Sequence, residues 1–365
     1  MSASHIRSSD AAPKLRYTAR ELVSDEKRLA KLQRRSNLIG LALVGHSWGL
    51  IFAAMALFYV FPNPISFLLA VALIGARQLG LAILMHDAAH NALFRTLSWN
   101  NGLSDALCGH PMMARTDAYR RYHLVHHRNT QQDNDPDLIL SKPFPITRKS
   151  LRRKLIRDLT GQTGYQQRKA QIINAFGPKG LGFFASLQHF NTKLGGALLA
   201  NLVILAICTA LFHWSYYLMF WVLPFLTYHM AITRLRNIAE HAIVPDDDDA
   251  FRSSRTTHAN WLARIFIAPY WVNYHVEHHL LMHVPCYRLA LFQKTLVEAG
   301  LAERRETASG YFDVLRRAAS RSDTEDGPGD LVHNGRNRLK GNFSDGFSHP
   351  PPRNMSSYQL SFFFV

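Results

Sequence analysis

Between residues 36 and 76 the chain carries no Lys, Arg, Asp or Glu, and residues 194–233 carry none either. Each run is about twice the roughly 20 residues a helix needs to cross a hydrocarbon core, so each is long enough for two spans. The first run breaks at Phe61-Pro62-Asn63-Pro64, a turn through which no helix continues. The second breaks near His213-Trp214-Ser215, where Trp214, Tyr216, Tyr217 and Trp221 are placed like an interfacial aromatic belt. The pattern predicts an all-α integral membrane fold. Four transmembrane helices form two hairpins, over about 37–60, 65–85, 195–212 and 216–236.

The tight turns contain no Lys or Arg, whereas the start, middle and tail of the chain contain many. By the positive-inside rule both turns face outward, and both termini and the 86–193 region lie in the cytoplasm. Residues 1–35 read as a cytoplasmic arm, since the first apolar run is too long for a signal peptide and has no cleavage pattern after it. Asp10, Glu21, Asp25 and Glu26 disfavour a transit peptide. The expected location is a multi-pass position in a bacterial inner membrane. Segment 146–193 mixes charge with apolar residues, as surface or interfacial helices do. Residues 36–319 form the membrane domain with a helical cytoplasmic cap. From residue 320 to 365 the composition turns to Arg, Ser, Asp, Gly, Asn and Pro and predicts disorder.

Overall, 47% of the 365 residues are hydrophobic and the formal net charge is +16. So much positive charge can indicate nucleic acid. Here it flanks the apolar runs, as at Arg28, Lys31, Arg34 and Arg35, and membrane lipid is the expected partner, not nucleic acid. Three cysteines, Cys108, Cys208 and Cys286, lie far apart and form no CxxC, which argues against a disulfide framework and against iron–sulfur or Cys-zinc sites.

The chemistry lies in the 19 histidines. Three groups are tight: His86-Asp87-Ala88-Ala89-His90, His123-Leu124-Val125-His126-His127 and His275-Val276-Glu277-His278-His279. On a helix, positions i, i+3 and i+4 share a face, so each group can aim its rings at one point. Asn237-Ile238-Ala239-Glu240-His241 repeats the i, i+4 spacing and adds an imidazole and an amide oxygen. The first and fourth elements follow the returning strokes of the two hairpins, so all four can meet at one membrane face. Imidazole suits iron, copper or zinc. Eight or nine nitrogens exceed the capacity of one octahedral ion, so two metals are expected. One such group alone is an ordinary surface feature; three with repeated spacing on one side are not. A structural zinc site would close with four ligands and usually include Cys, and a metal transporter would place its ligands within the spans. The remaining histidines read as structural, with His229, inside a span, the one exception to watch.

The HDAAH, HLVHH and HVEHH boxes resemble those of membrane fatty acid desaturases and their hydroxylase and ketolase relatives. The likeness runs from about residue 37 to 315 and includes Arg236-Asn237-Ile238-Ala239-Glu240-His241-Ala242 and Ala268-Pro269-Tyr270-Trp271-Val272-Asn273-Tyr274. The four-residue step of the first box resembles the acyl-lipid branch. Leu281-Met282-His283 departs from the aromatic and proline many desaturases carry there, and this bears on the subfamily. The resemblance implies two iron ions, O2 as co-substrate and an apolar chain as substrate, held in an apolar tunnel entered from the bilayer. The expected reaction is desaturation of a lipid acyl chain. The alternative is hydroxylation or ketolation of a carotenoid, sphingolipid or alkyl chain. Asp87, Glu240 and Glu277 are candidates to hold the far N–H of a ligand histidine, with ion pairs to Arg120, Arg121 or Arg128 as the competing role. Asp133-Asn134-Asp135-Pro136-Asp137 reads as a capped loop, and residues 246–249 as a solvated one. No electron-carrier motif is present, so electrons are expected from a separate ferredoxin- or cytochrome-type donor.

Overall fold

The computed structural model describes residues 15–245 and 249–322; the expected disordered tail lies outside them apart from its first three residues. Among the described residues four helices are long and apolar enough to cross a membrane: α1 (Asn37–Val60), α2 (Pro64–Ala89), α6 (Phe183–Leu211) and α7 (Trp214–His241). Between them lie α3 (Thr116–Asn129), α4 (Arg148–Leu159) and α5 (Gln162–Ala175), and after them α8 (His275–Leu280), α9 (Leu289–Glu298) and α10 (Tyr311–Ala318). Besides one isolated bridge, the only strands among the described residues are the two-residue parallel pair Thr256–Thr257 and Thr307–Ala308.

Local chemistry sets the helix starts. Ser36 caps α1 by accepting the Ile39 N–H, and Asn63 caps α2 by accepting from Ile65 and Ser66, while Pro64 occupies a first-turn position that needs no donor. The hydropathy pattern underestimates three of the four spans. α2 runs four residues past the expected 85, α7 starts two early and runs five past 236, and α6 starts at Phe183 rather than 195 and passes through a wide turn at Asn191–Gly195. Hydropathy marks only the slab of hydrocarbon, whereas the backbone ladder continues wherever protein packing covers it.

α2 is the central helix: 67% of its span is buried, against 28% for α1 and 22% for α6. Gln78 on α2 donates to the Trp221 carbonyl of α7 at 2.8 Å, and Trp221 stacks on Trp48 of α1 at 5.3 Å. Tyr217 and Trp221 share the Asn201 side-chain oxygen of α6 at 3.1 and 3.0 Å. At Gly75 a Cβ would meet the His229 backbone nitrogen at 3.1 Å, so this glycine lets α2 and α7 approach. His229 is buried in that contact, away from the histidine boxes. The described part of the arm, from residue 15, does not stand apart. Leu22 and Leu32 are buried in the main core, and Arg28 reaches Thr295 at 2.9 Å and Glu298 at 2.5 Å on α9.

Candidate metal centre

The last turn of α2 carries His86, with His90 at its C-cap, and the last turn of α7 carries His241. α3 and α8 present the two HxxHH boxes to them. Arg120, one turn before the second box, donates to the Ala89 and Ala88 carbonyls at 2.6 and 3.0 Å and to Asn91 at 3.1 Å. The terminal carbonyls of α2 need donors and favour positive charge. Arg120 therefore caps the first box and ties it to the second, in place of the ion pair considered from the sequence.

All nine histidines converge, in two adjoining groups. Ligand atoms of His86, His90, His123, His127 and His278 all lie within 4.8 Å of one another. His126, His241 and His279 form a second set within the same limit, and Glu240, His241 and His275 a third that shares His241. The boxes divide by helical angle. Residues i and i+4 are about 40° apart, while i+3 sits about 60° to the other side. His123 and His127 therefore go to one group and His126 to the other; His275 and His279 go to the second group and His278 to the first. Each HxxHH box gives a pair to one group and a single ring to its neighbour.

The nitrogen spacings fit a metal. His127 Nε2 lies 2.9 Å from His123 Nε2 and 3.0 Å from His278 Nε2. His275 Nε2 lies 2.8 Å from His241 Nε2 and 3.1 Å from His279 Nε2. A metal–nitrogen bond of about 2.1 Å gives adjacent ligands about 3.0 Å apart and opposite ones about 4.2 Å. One N–H cannot serve two such contacts, and His86 Nε2, both His90 nitrogens and His123 Nδ1 are buried with no partner. Buried polar atoms of this kind call for a ligand. Burial, and then the neighbouring rings, hold His123, His275 and His279 well below the ordinary imidazole value, in the neutral form that binds a metal.

The surrounding carboxylates only partly match expectation. Glu240 accepts from Arg236 at 2.7 Å and lies 3.5 Å from His275 Nδ1. Asp87 and Glu277 touch no ring. Asp87 accepts the Cys286 backbone N–H at 3.0 Å, because α9's leading turn crosses the end of α2. Glu277 points away from its neighbours in the box, pairing with the buried Arg305 and accepting from Thr256 at 2.5 Å; it anchors α8 to the small strand pair. The partner missed from the sequence is Asp135. Its buried carboxylate lies 2.8 Å from His126 Nδ1, while it also accepts the Gln131 and Asp137 N–H groups at 2.8 and 2.9 Å. The acid-rich loop after the second box was the available signal. Capping and holding a ring are here one job.

Asn237 lies one turn before His241 and lines a pocket against His126, His241 and His275, together with Tyr119, Tyr122, Asp137, Arg236 and Glu240.

The chain is 27% identical over 310 residues to dihydrorhizobitoxine desaturase of Bradyrhizobium elkanii, covering 78% of this chain and 83% of that protein. Residues 62–308 match the family described as fatty acid desaturase. That stretch begins in the turn before α2 and ends in the second strand, so it holds every histidine of the two groups, and the chain belongs to the fatty acid desaturase family.

Proposed function

We propose that the chain is an O2-dependent desaturase that holds two iron ions and introduces a double bond into the acyl chain of a lipid. The observation that carries this reading is the convergence of nine imidazoles from α2, α3, α7 and α8 into two adjoining groups of metal-ligand spacing. Such a donor set suits iron, copper or zinc. Among those, the family favours iron, and the three cysteines stand as free, buried thiols. Iron held in the two groups supplies the O2 chemistry needed to take hydrogen from an unactivated methylene, which no side chain can do.

The chain's own residues prepare that chemistry. His86, His90, His123, His127 and His278 would hold one ion, and His126, His241, His275 and His279 the other, with Glu240 and Asn237 beside the second. Asp135 fixes the ring of His126 so that Nε2 keeps its lone pair. Arg120 and Glu277 fix the helices that carry the boxes. Burial of α2 keeps water from the first group. With the two tight turns outward, the centre and both termini face the cytoplasm, where a separate ferredoxin- or cytochrome-type protein delivers electrons.

Expression in a host of simple lipid profile, followed by mass spectrometry of its fatty acids, tests the reading. A new species lighter by two hydrogens, absent with His126→Ala, is the expected result. A gain of one oxygen assigns hydroxylation instead. An unchanged profile across acyl lipids from iron-loaded, reductant-supplied protein overturns the substrate class.

A further inference from the structure

We propose that three arginines at the mouth of α1 bind the phosphate of an anionic lipid head group. Gln33, Arg34, Arg35 and Arg95 line one cleft. Its two sides are clasped: Asn37 Nδ2 donates to Thr96 Oγ1 at 2.8 Å, and the Thr96 N–H donates to Asn37 Oδ1 at 3.0 Å. A third segment closes the back, where Arg288 Nε donates to the Arg34 carbonyl at 3.0 Å and Tyr287 accepts the Ser36 N–H at 3.0 Å. The cations are thus built into place by contacts that do not use their own charges.

Among the described residues none of the three pairs with a carboxylate, although Arg28, Arg115 and Arg304 all do. Arg35 Nε is buried with no partner. Like charges gathered in one cleft repel one another, and guanidinium forks match phosphate oxygens in pairs. A phosphate supplies the negative charge that the described carboxylates do not bring to the cleft. Its source follows from position. Ser36 caps α1, the first helix able to cross a membrane, so the cleft sits where hydrocarbon gives way to head groups. Leu38 and Leu41, the next outward residues of α1, are 77% and 38% exposed. A phospholipid there satisfies guanidiniums and leucines together; a free phosphate satisfies only the former.

The proposal rests on the membrane reading of α1 and not on the metals or the reaction, and its test reads binding alone. The full chain, purified in a non-ionic detergent, is titrated with short-chain phosphatidylglycerol, short-chain phosphatidylcholine and inorganic phosphate, and adducts are counted by native mass spectrometry. Phosphatidylglycerol should bind in preference to the zwitterionic lipid. Arg34→Ala, Arg35→Ala and Arg95→Ala should each weaken it about fivefold, and the triple variant on the order of 100-fold, while Lys149→Ala on α4 changes nothing. Each single variant is read only at wild-type melting temperature, so the test survives misfolding of the triple. Equal binding of the two lipids, or full binding by all three single variants, overturns the proposal. Inorganic phosphate competing as well as the lipid overturns it in favour of a soluble ligand. Variants that bind lipid normally but lose donor-supported turnover overturn it in favour of an electron-carrier dock.

Discussion

Replacing Asp135 by Asn tests how the second histidine group is held, because it removes a charge and one acceptor while keeping the shape. The carboxylate accepts three N–H groups, from His126 on Oδ1, Asp137 on Oδ1 and Gln131 on Oδ2, at 2.8, 2.9 and 2.8 Å. An amide has one acceptor oxygen. If that oxygen keeps His126 and Asp137, the new NH2 faces the Gln131 N–H and leaves it unpaired at a cost of about 1–3 kcal/mol. If the amide turns over, its NH2 faces His126 Nδ1 and drives the proton to Nε2, blocking the nitrogen that faces the metal. Removing such a partner typically lowers metal affinity 10- to 100-fold, or roughly 1.4–2.8 kcal/mol. Iron per chain is measured by elemental analysis before and after dialysis against a graded series of chelators. On the two-iron reading proposed above, the variant should lose one iron at a chelator concentration at least tenfold lower than wild type. Iron retention equal to wild type would refute the role given to Asp135, and loss of both irons with a collapsed melting temperature would show a folding defect instead.

Three further outcomes follow from the packing and the buried charges. Burial and neighbouring rings hold His90, His123, His275, His278 and His279 well below their ordinary value of 6.5, so the unfolded chain binds more protons just below that pH. Stability and iron content should therefore be full above pH 6.5 and fall together below it; a flat melting profile between pH 7.5 and 5 contradicts this. Glu277→Gln strands Arg305, whose side chain is 7% exposed, and should cost about 3–5 kcal/mol in detergent-phase unfolding, partly recovered by adding Arg305→Met; a single variant as stable as wild type counts against the anchor. In Gly164→Ala the new Cβ would lie 2.5 Å from the Leu226 carbonyl oxygen and 2.7 Å from its Cα, backbone atoms that cannot swing aside. A loss of about 1–3 kcal/mol is expected, while Gly49→Ala, which meets nothing within 4 Å, should be neutral, and equal melting temperatures for the two would sink the argument.

What could be read from the sequence is what depends on neighbours along the chain. The four apolar runs, the Pro62-Asn63-Pro64 break and the i, i+3, i+4 spacing of the boxes are local, and the structure shows each as a helix, a turn or a shared face. The sorting of rings was half legible: helical angle separates His126 from His123 and His127, but only tertiary packing decides that His126 meets His241 and His279. The carboxylates were the least legible. Asp87 and Glu277 sit inside boxes yet serve a backbone amide and an arginine from segments far along the chain, whereas Asp135 reaches His126 because a turn folds back on its own helix. Which way a short acidic side chain points is a property of the fold around it.

The interleaving of the two HxxHH boxes means that neither half of the centre has a private wall. α3 and α8 each face both ways, so a tilt of either helix moves ligands in both compartments at once. An ion settling on either side would steady both helices, so a second ion meets ligands already ordered by the first.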